Sequence, residues 1–209
     1  MKLPLLAALA ATALAGCTTT AQAPSSPVLV PSSDWRAVAT ENDRERLRNW
    51  RSTFTTALAQ ARAAGHGSAI AAEGALLEPD AALGGAVIPN GQYRCRVIKV
   101  GAKQPGLLDY IAYPAFRCRI QQERNLQGFA KLTGSQRPVG LVFPSEATRQ
   151  VFLGTLVLGD EARAMQYGND PDRDLIAWVE RIGPNRWRMV FPSPRFESLT
   201  DVVELVPAR

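Results

Sequence analysis

Residues 91–97 read Gly-Gln-Tyr-Arg-Cys-Arg-Val, and residues 116–120 read Phe-Arg-Cys-Arg-Ile. Tyr93, Cys95 and Val97 alternate with Arg94 and Arg96; Phe116, Cys118 and Ile120 alternate with Arg117 and Arg119. Successive side chains of an extended strand point to opposite faces. Each segment therefore predicts a strand whose cysteine sits on the core face with its apolar neighbours, while the arginines face water. A bridge between the two cysteines on that core side is geometrically reasonable.

Working outward, the same short-strand pattern continues downstream. Further strands are predicted over residues 126–133, 138–143, 150–158, 163–167, 175–182, 186–191 and 202–206. Turn residues separate them at Gly134-Ser135, Gly159-Asp160, Gly168-Asn169-Asp170-Pro171 and Gly183-Pro184-Asn185. Eight or nine short strands with tight connections predict an antiparallel meander, and closing such a sheet into a barrel removes its edges. The segment 150–158 is apolar on both faces, so one face can line the interior and the other can receive helices. The expectation is a mainly β fold: an antiparallel up-and-down, lipocalin-like barrel of about eight strands (about residues 91–207) with an N-terminal helix pair packed outside. A two-sheet sandwich is the alternative.

The helix pair is read from residues 40–77. Thr40 can cap a helix running to Ala64, with Asp43 three residues on. Leu47, Trp50, Phe54, Leu58 and Ala61 recur at helical spacing, and Arg44, Arg48 and Arg51 extend away from most of that stripe. Gly65 and Gly67 end it. A second, shorter helix is predicted from Ser68 to Leu77, before Pro79.

The first residues carry an address. Lys2 is followed by an apolar stretch from Leu3 to Ala15, too short to span a membrane but suited to a secretory signal. It runs into Leu14-Ala15-Gly16-Cys17, which resembles the lipobox of bacterial lipoproteins, where the cysteine is acylated and the signal is cut before it. A plain secreted protein is the alternative. The resemblance implies a signal peptide over 1–16, lipid attachment at Cys17, and a flexible tether over 17–33 leading to a single domain over 34–209. Thr18 in place of Asp resembles the pattern sent to the outer membrane, so the expected location is the periplasmic face of the outer membrane of a Gram-negative bacterium. Acyl chains would hold it there. Setting Cys17 aside leaves Cys95 and Cys118, and an even pair in an exported chain predicts one disulfide rather than free thiols.

With 46% hydrophobic and 21% charged residues over 209 positions, the chain has the composition of an ordinary globular protein. Charge is uneven: residues 94–149 hold ten Lys/Arg against three Asp/Glu. Such a basic half can meet anionic headgroups or an acidic partner, or it can simply be a solvated exterior; an exported protein is not expected to meet nucleic acid. Catalytic patterns are thin: there is no GxSxG, P-loop, HExxH or CxxC, and the single histidine, His66, lies between two glycines. Asp170-Pro171-Asp172-Arg173-Asp174 starts like a calcium loop, but Leu175 stands at the turn glycine and Arg181 at the bidentate glutamate. No metal, no cofactor and no enzyme activity are expected. Lys131-Leu132-Thr133-Gly134-Ser135-Gln136-Arg137 reads as a polar hairpin tip. If the barrel has a pocket, Lys131, Gln136 and Arg137, with Arg117 nearby and Trp178 as an apolar wall, are the candidate ligand-binding residues; Trp187 and Tyr110 are further candidates for the apolar lining.

Several runs together carry a family likeness. Gly91-Gln92-Tyr93-Arg94-Cys95-Arg96, Lys131 to Arg137, Phe152-Leu153-Gly154-Thr155, Glu204-Leu205-Val206-Pro207, Trp35-Arg36 and the run from Arg44 to Leu47 resemble proteobacterial envelope proteins with the domain of unknown function numbered 4893, over about residues 34–207. The resemblance implies no activity. At the level of fold alone, the meander is similar to lipocalin-type barrels and small periplasmic inhibitor barrels. Two functions are therefore expected from the sequence: a non-catalytic barrel binding a lipid or other amphipathic or anionic small ligand, or a protein-binding envelope factor or hydrolase inhibitor.

Overall fold

The computed structural model describes residues 32–208. The signal segment 1–16, Cys17 and nearly all of the tether lie outside the described residues.

Tyr93, Cys95 and Val97 fall on strand β1 (Gly91–Ala102), and Phe116, Cys118 and Ile120 on β3 (Phe116–Glu123). The remaining strands are β2 (Tyr110–Ala112), β4 (Leu126–Lys131), β5 (Gln136–Pro144), β6 (Arg149–Leu158), β7 (Asp174–Gly183), β8 (Arg186–Pro192) and β9 (Ser198–Pro207). From β3 to β9 each strand pairs antiparallel with the next. β9 then returns to pair with β1 from Tyr93↔Pro207 to Ala102↔Ser198. That pairing closes an up-and-down barrel eight strands around and excludes the sandwich, since neither end of the meander is left as an edge. On the other side of β1, β3 pairs with residues 91–95 and β2 with residues 98–100. β2 and β3 are thus two pieces of one staircase along β1, broken around Pro114, which has no N–H to donate.

The twofold alternation sorts side chains as its period requires. Tyr93, Cys95, Cys118, Ile120, Phe129, Val142, Phe152, Ala177, Val179, Trp187, Met189 and Leu205 pack inside the barrel. Phe152 stacks edge-on against Phe129 and Phe191, each at 5.7 Å, and Tyr93 meets Trp187 edge-on at 6.3 Å. This aromatic layer fills one part of the interior. Cys95 and Cys118 are joined by a disulfide within it. Gly140 and Gly154 face each other across β5 and β6. A Cβ on Gly140 would lie 2.2 Å from the Leu153 carbonyl oxygen, so the close approach of these strands requires glycine there.

The other face of β5 to β9 receives the helices, as the two-sided apolarity of residues 150–158 predicts: Phe152 and Leu156 go inside, Val151 and Leu153 outside under the helices. The predicted helix over 40–64 is in two pieces, α2 (Glu41–Arg48) and α3 (Trp50–Ala61), preceded by the short α1 (Trp35–Val38). The break falls at Asn49 (φ −89°, ψ 5°), whose carbonyl accepts from the Ser52 and Thr53 hydroxyls as well as from the Thr53 amide. Thr40 caps α2 by accepting from the Asp43 amide. Leu47, Trp50, Phe54, Leu58 and Ala61 are all buried, as their spacing predicts. A wide turn at Arg62–His66, with Gly65 at φ 93°, leads into α4 (Gly67–Glu73). One expected strand is absent: residues 163–167 lie in the loop joining β6 to β7. Those strands are already paired with each other along that side, so no edge remains for an extra strand. Tyr167 instead ties this loop to α2, its hydroxyl donating to Asp43 and accepting from the Thr40 amide.

A buried charge fastens the helical layer to the barrel. Arg188 on β8 and Glu180 on β7 are both fully buried. The Arg188 guanidinium donates to Glu180 and to the backbone carbonyls of Ala75, Leu76, Glu78 and Pro79, the segment that follows α4. Arg149 donates to the other Glu180 oxygen at 2.6 Å.

Candidate functional site

The barrel interior is not filled throughout. Beyond the Phe129–Phe152–Phe191 layer the strands enclose a cavity of about 290 Å³ that opens between the loops at one end. Val97, Leu156, Leu175, Phe191 and Val203 give it apolar walls, while Lys99, Lys131, Gln136 and Asp201 bring polar atoms to it.

The two lysines sit there for the same local reason. Lys99 continues the inward phase of Tyr93, Cys95 and Val97 along β1, and Lys131 continues that of Phe129 along β4. Their residues are 5% and 4% exposed. Lys99 is neutralised twice: its Nζ lies 3.1 Å from both Asp201 Oδ2 and Glu197 Oε2. Burial pulls the Lys99 pKa down, but these two carboxylates outweigh it and hold the group above the usual lysine value. Lys131 has no carboxylate partner among the described residues. Its ammonium donates to the Thr133 carbonyl at 2.9 Å and the Gln136 carbonyl at 2.8 Å, and stands 3.6 Å over the Phe116 ring. Burial, then the charges of Arg137 and Lys99, push its pKa down to about 8.

The mouth is spanned by the loop from Ser193 to Glu197, whose two ends both have positive φ (46° and 66°). Arg195 in this loop pairs across the opening with Asp172 at 2.7 Å, and Lys103 donates to the Pro194 carbonyl.

Of the residues singled out from sequence, Lys131 and Gln136 line this cavity together. Arg137 lies at the same hairpin but its guanidinium reaches outside, donating to the carbonyls of Gly134, Gly159 and Glu161. Arg117 is exposed on the outer face, in register with Arg94. Trp178 is on the outer face too, edge-on to Trp35 at 6.3 Å beneath the helices. Trp187 is inside, in the aromatic layer beside Tyr93. Tyr110 stacks on His66 and lies outside the cavity. Lys99, Asp201 and Glu197 were not singled out. The signal for the first two is in the sequence: a charge on the inward phase of an alternating strand, Lys99 after Val97 and Asp201 before Val203. The 170–174 segment forms the expected turn, with the Asp170 carbonyl accepting from the amides of Arg173 and Asp174.

A second concavity, about 270 Å³, lies on the outer face of β3 to β5 that the helices leave uncovered. Gly128, Ala130 and Val139 keep it shallow, and Arg119 at its side has an Nε without a hydrogen-bond partner among the described residues.

A family model described as a domain of unknown function, DUF4893, matches residues 35–205. No curated protein and no solved structure matches the chain.

Proposed function

Because the chain belongs to the DUF4893 family, a domain of unknown function that hands on no activity, we propose a function from the barrel's own chemistry: non-catalytic binding of a small amphipathic ligand in the mouth cavity. One observation carries the reading. A cavity open to solvent combines apolar walls with a nearly buried ammonium, Lys131, that has no carboxylate partner among the described residues. Apolar walls with a few placed polar groups are the make-up of small-molecule sites, and an eight-stranded barrel has room inside for one small ligand. At roughly 30 Å³ per water-sized group, 290 Å³ takes about ten non-hydrogen atoms. The occupant is therefore a small amphipath, or the end of a larger one, and not a whole phospholipid.

Native mass spectrometry of the protein from its own host, purified without detergent, tests this. The expected spectrum carries an extra mass of up to a few hundred daltons that is lost on denaturation. An apo mass, together with no binding of added amphipaths, refutes the reading.

The location proposed with it is the periplasmic face of the outer membrane, through acylation of Cys17. Support comes from the Leu14-Ala15-Gly16-Cys17 run at the end of an apolar stretch. Labelled palmitate should enter the wild-type protein and not a Cys17→Ala variant. A second reading, a protein-binding envelope factor or hydrolase inhibitor, is favoured by the uncovered outer face, where Arg119 Nε lacks a partner among the described residues beside an open groove. It expects crosslinkers placed on that face to capture one dominant protein at native expression.

A further inference from the structure

The mouth cavity also carries information about the head group of its ligand, and this step rests on the ligand-binding reading above. We propose that the cavity takes a monocarboxylate with a short unbranched apolar tail, its carboxylate on Lys131 and its tail along Leu156, Leu175, Phe191 and Val203.

The argument is a count of charges and donors. Lys99 is already matched by two carboxylates, Asp201 and Glu197. Lys131, 4% exposed, is matched by none among the described residues. An ammonium has three donors, and two of them go to the carbonyls of Thr133 and Gln136. One donor and one full positive charge therefore remain at the cavity wall. Carbonyls and the Phe116 ring soften the burial of that charge without cancelling it. A buried charge calls for a partner of opposite sign, and a carboxylate brings one negative charge with acceptor atoms for the free donor. A neutral alcohol offers an acceptor without the charge. A phosphate monoester brings more than one negative charge into a site whose other lining cations, Lys99 and Arg195, are already paired with Asp201, Glu197 and Asp172. Its surplus charge would face those carboxylates.

Tail length follows from the floor. The Phe129–Phe152–Phe191 layer closes the interior below the cavity. The volume accommodates about ten non-hydrogen atoms, so a carboxylate with a tail of about seven to nine carbons fills it.

Titration calorimetry of the full chain at pH 7.4 with decanoate, 1-decanol and decyl phosphate tests this. Decanoate should bind one to one. Decanol and decyl phosphate should each bind more weakly by about tenfold or more, the lower end of what a hydrogen bond to a charged group is worth. Lys131→Met should weaken decanoate by a similar factor, leave decanol unchanged, and abolish the preference between them; Lys131→Arg should keep the preference. Decanol binding as tightly as decanoate to the wild-type chain overturns the carboxylate assignment while the amphipath reading stands, and this comparison needs no variant to fold. Decyl phosphate binding as tightly as decanoate overturns it too. Failure of all three probes to bind overturns both readings together.

Discussion

Replacing Arg188 with methionine removes the five hydrogen bonds that its guanidinium makes, one to Glu180 and four to the carbonyls of Ala75, Leu76, Glu78 and Pro79. Methionine keeps much of the apolar stem against Phe54, so the loss is electrostatic. Glu180 stays fully buried, now held by Arg149 alone. Removing one partner of a buried pair costs about 3–5 kcal/mol. Two of the freed carbonyls, on Leu76 and Pro79, belong to buried residues and place the loss toward the upper end. For a domain of this size that corresponds to a melting point lower by about 10 °C or more. Urea unfolding followed by tryptophan fluorescence is the assay. Glu180→Gln added to Arg188→Met takes away the carboxylate that the first change strands, so the double variant should be more stable than the sum of the singles by about 1–2 kcal/mol. Arg188→Lys keeps the charge but lacks the planar fork that spans four carbonyls, and should fall between wild type and Arg188→Met. A loss below about 1 kcal/mol for Arg188→Met, or strict additivity in the double variant, would refute the account of this residue as the fastening between helices and barrel.

Three further outcomes are expected. Replacing Cys95 and Cys118 together by alanine should cost about 3 kcal/mol from the loop-closure term alone, given their separation of 23 residues; an equal melting point with and without reductant argues against it. Lys131 is held at about 8 in the folded protein against 10.5 when free, so between those values the unfolded chain binds more protons and stability rises with pH. That rise, up to about 3 kcal/mol, should appear in the difference between wild type and Lys131→Met measured from pH 7.5 to 10 without ligand. Lys99, Asp201, Glu197, Arg137, Arg195 and Asp172 around it are common to both proteins, and parallel curves would sink the assignment. Gly140→Ala should destabilise by at least ~2 kcal/mol, because its Cβ would press on the Leu153 backbone; a melting point within a few degrees of wild type would show that the two strands can part there.

The fold is legible in this sequence where one face of a strand is apolar and the other charged. Tyr93-Arg94-Cys95-Arg96 and Phe116-Arg117-Cys118-Arg119 announce their phase, and with it the disulfide and the inside of the barrel. Where both faces are apolar the phase is silent. Trp178 on β7 and Trp187 on β8 look alike in sequence, yet one lies outside under Trp35 and the other inside against Tyr93. Only the position of the helices decides between them, and that is a tertiary fact. Arg137 fails for a related reason: it stands one residue from Gln136, and in a strand one residue is a change of side. Lys99 and Asp201 were readable, since a charge on the inward phase marks either an error or a site. The break at Asn49 is a change in one residue's backbone angles, and the loop at 163–167 depends on which edges are already taken; periodicity reports neither.

The pairing of β1 with β9 also sets the order of assembly. β1 is synthesised first among the strands, yet its second edge waits for a strand whose residues lie roughly a hundred positions later in the chain. Until β9 arrives, β1 and β8 each present an unpaired row of amides and carbonyls, open to any extended segment of a neighbouring chain. The Cys95–Cys118 bond links only β1 and β3, so it can form early and preserve that half-built sheet without closing it. Loss of β9 through clipping or premature termination would therefore yield no slightly smaller barrel. It would yield a sticky open sheet, a species to be degraded or held by a chaperone. Arrival of β9 is the event that converts an aggregation-prone ribbon into a protein that can be left alone.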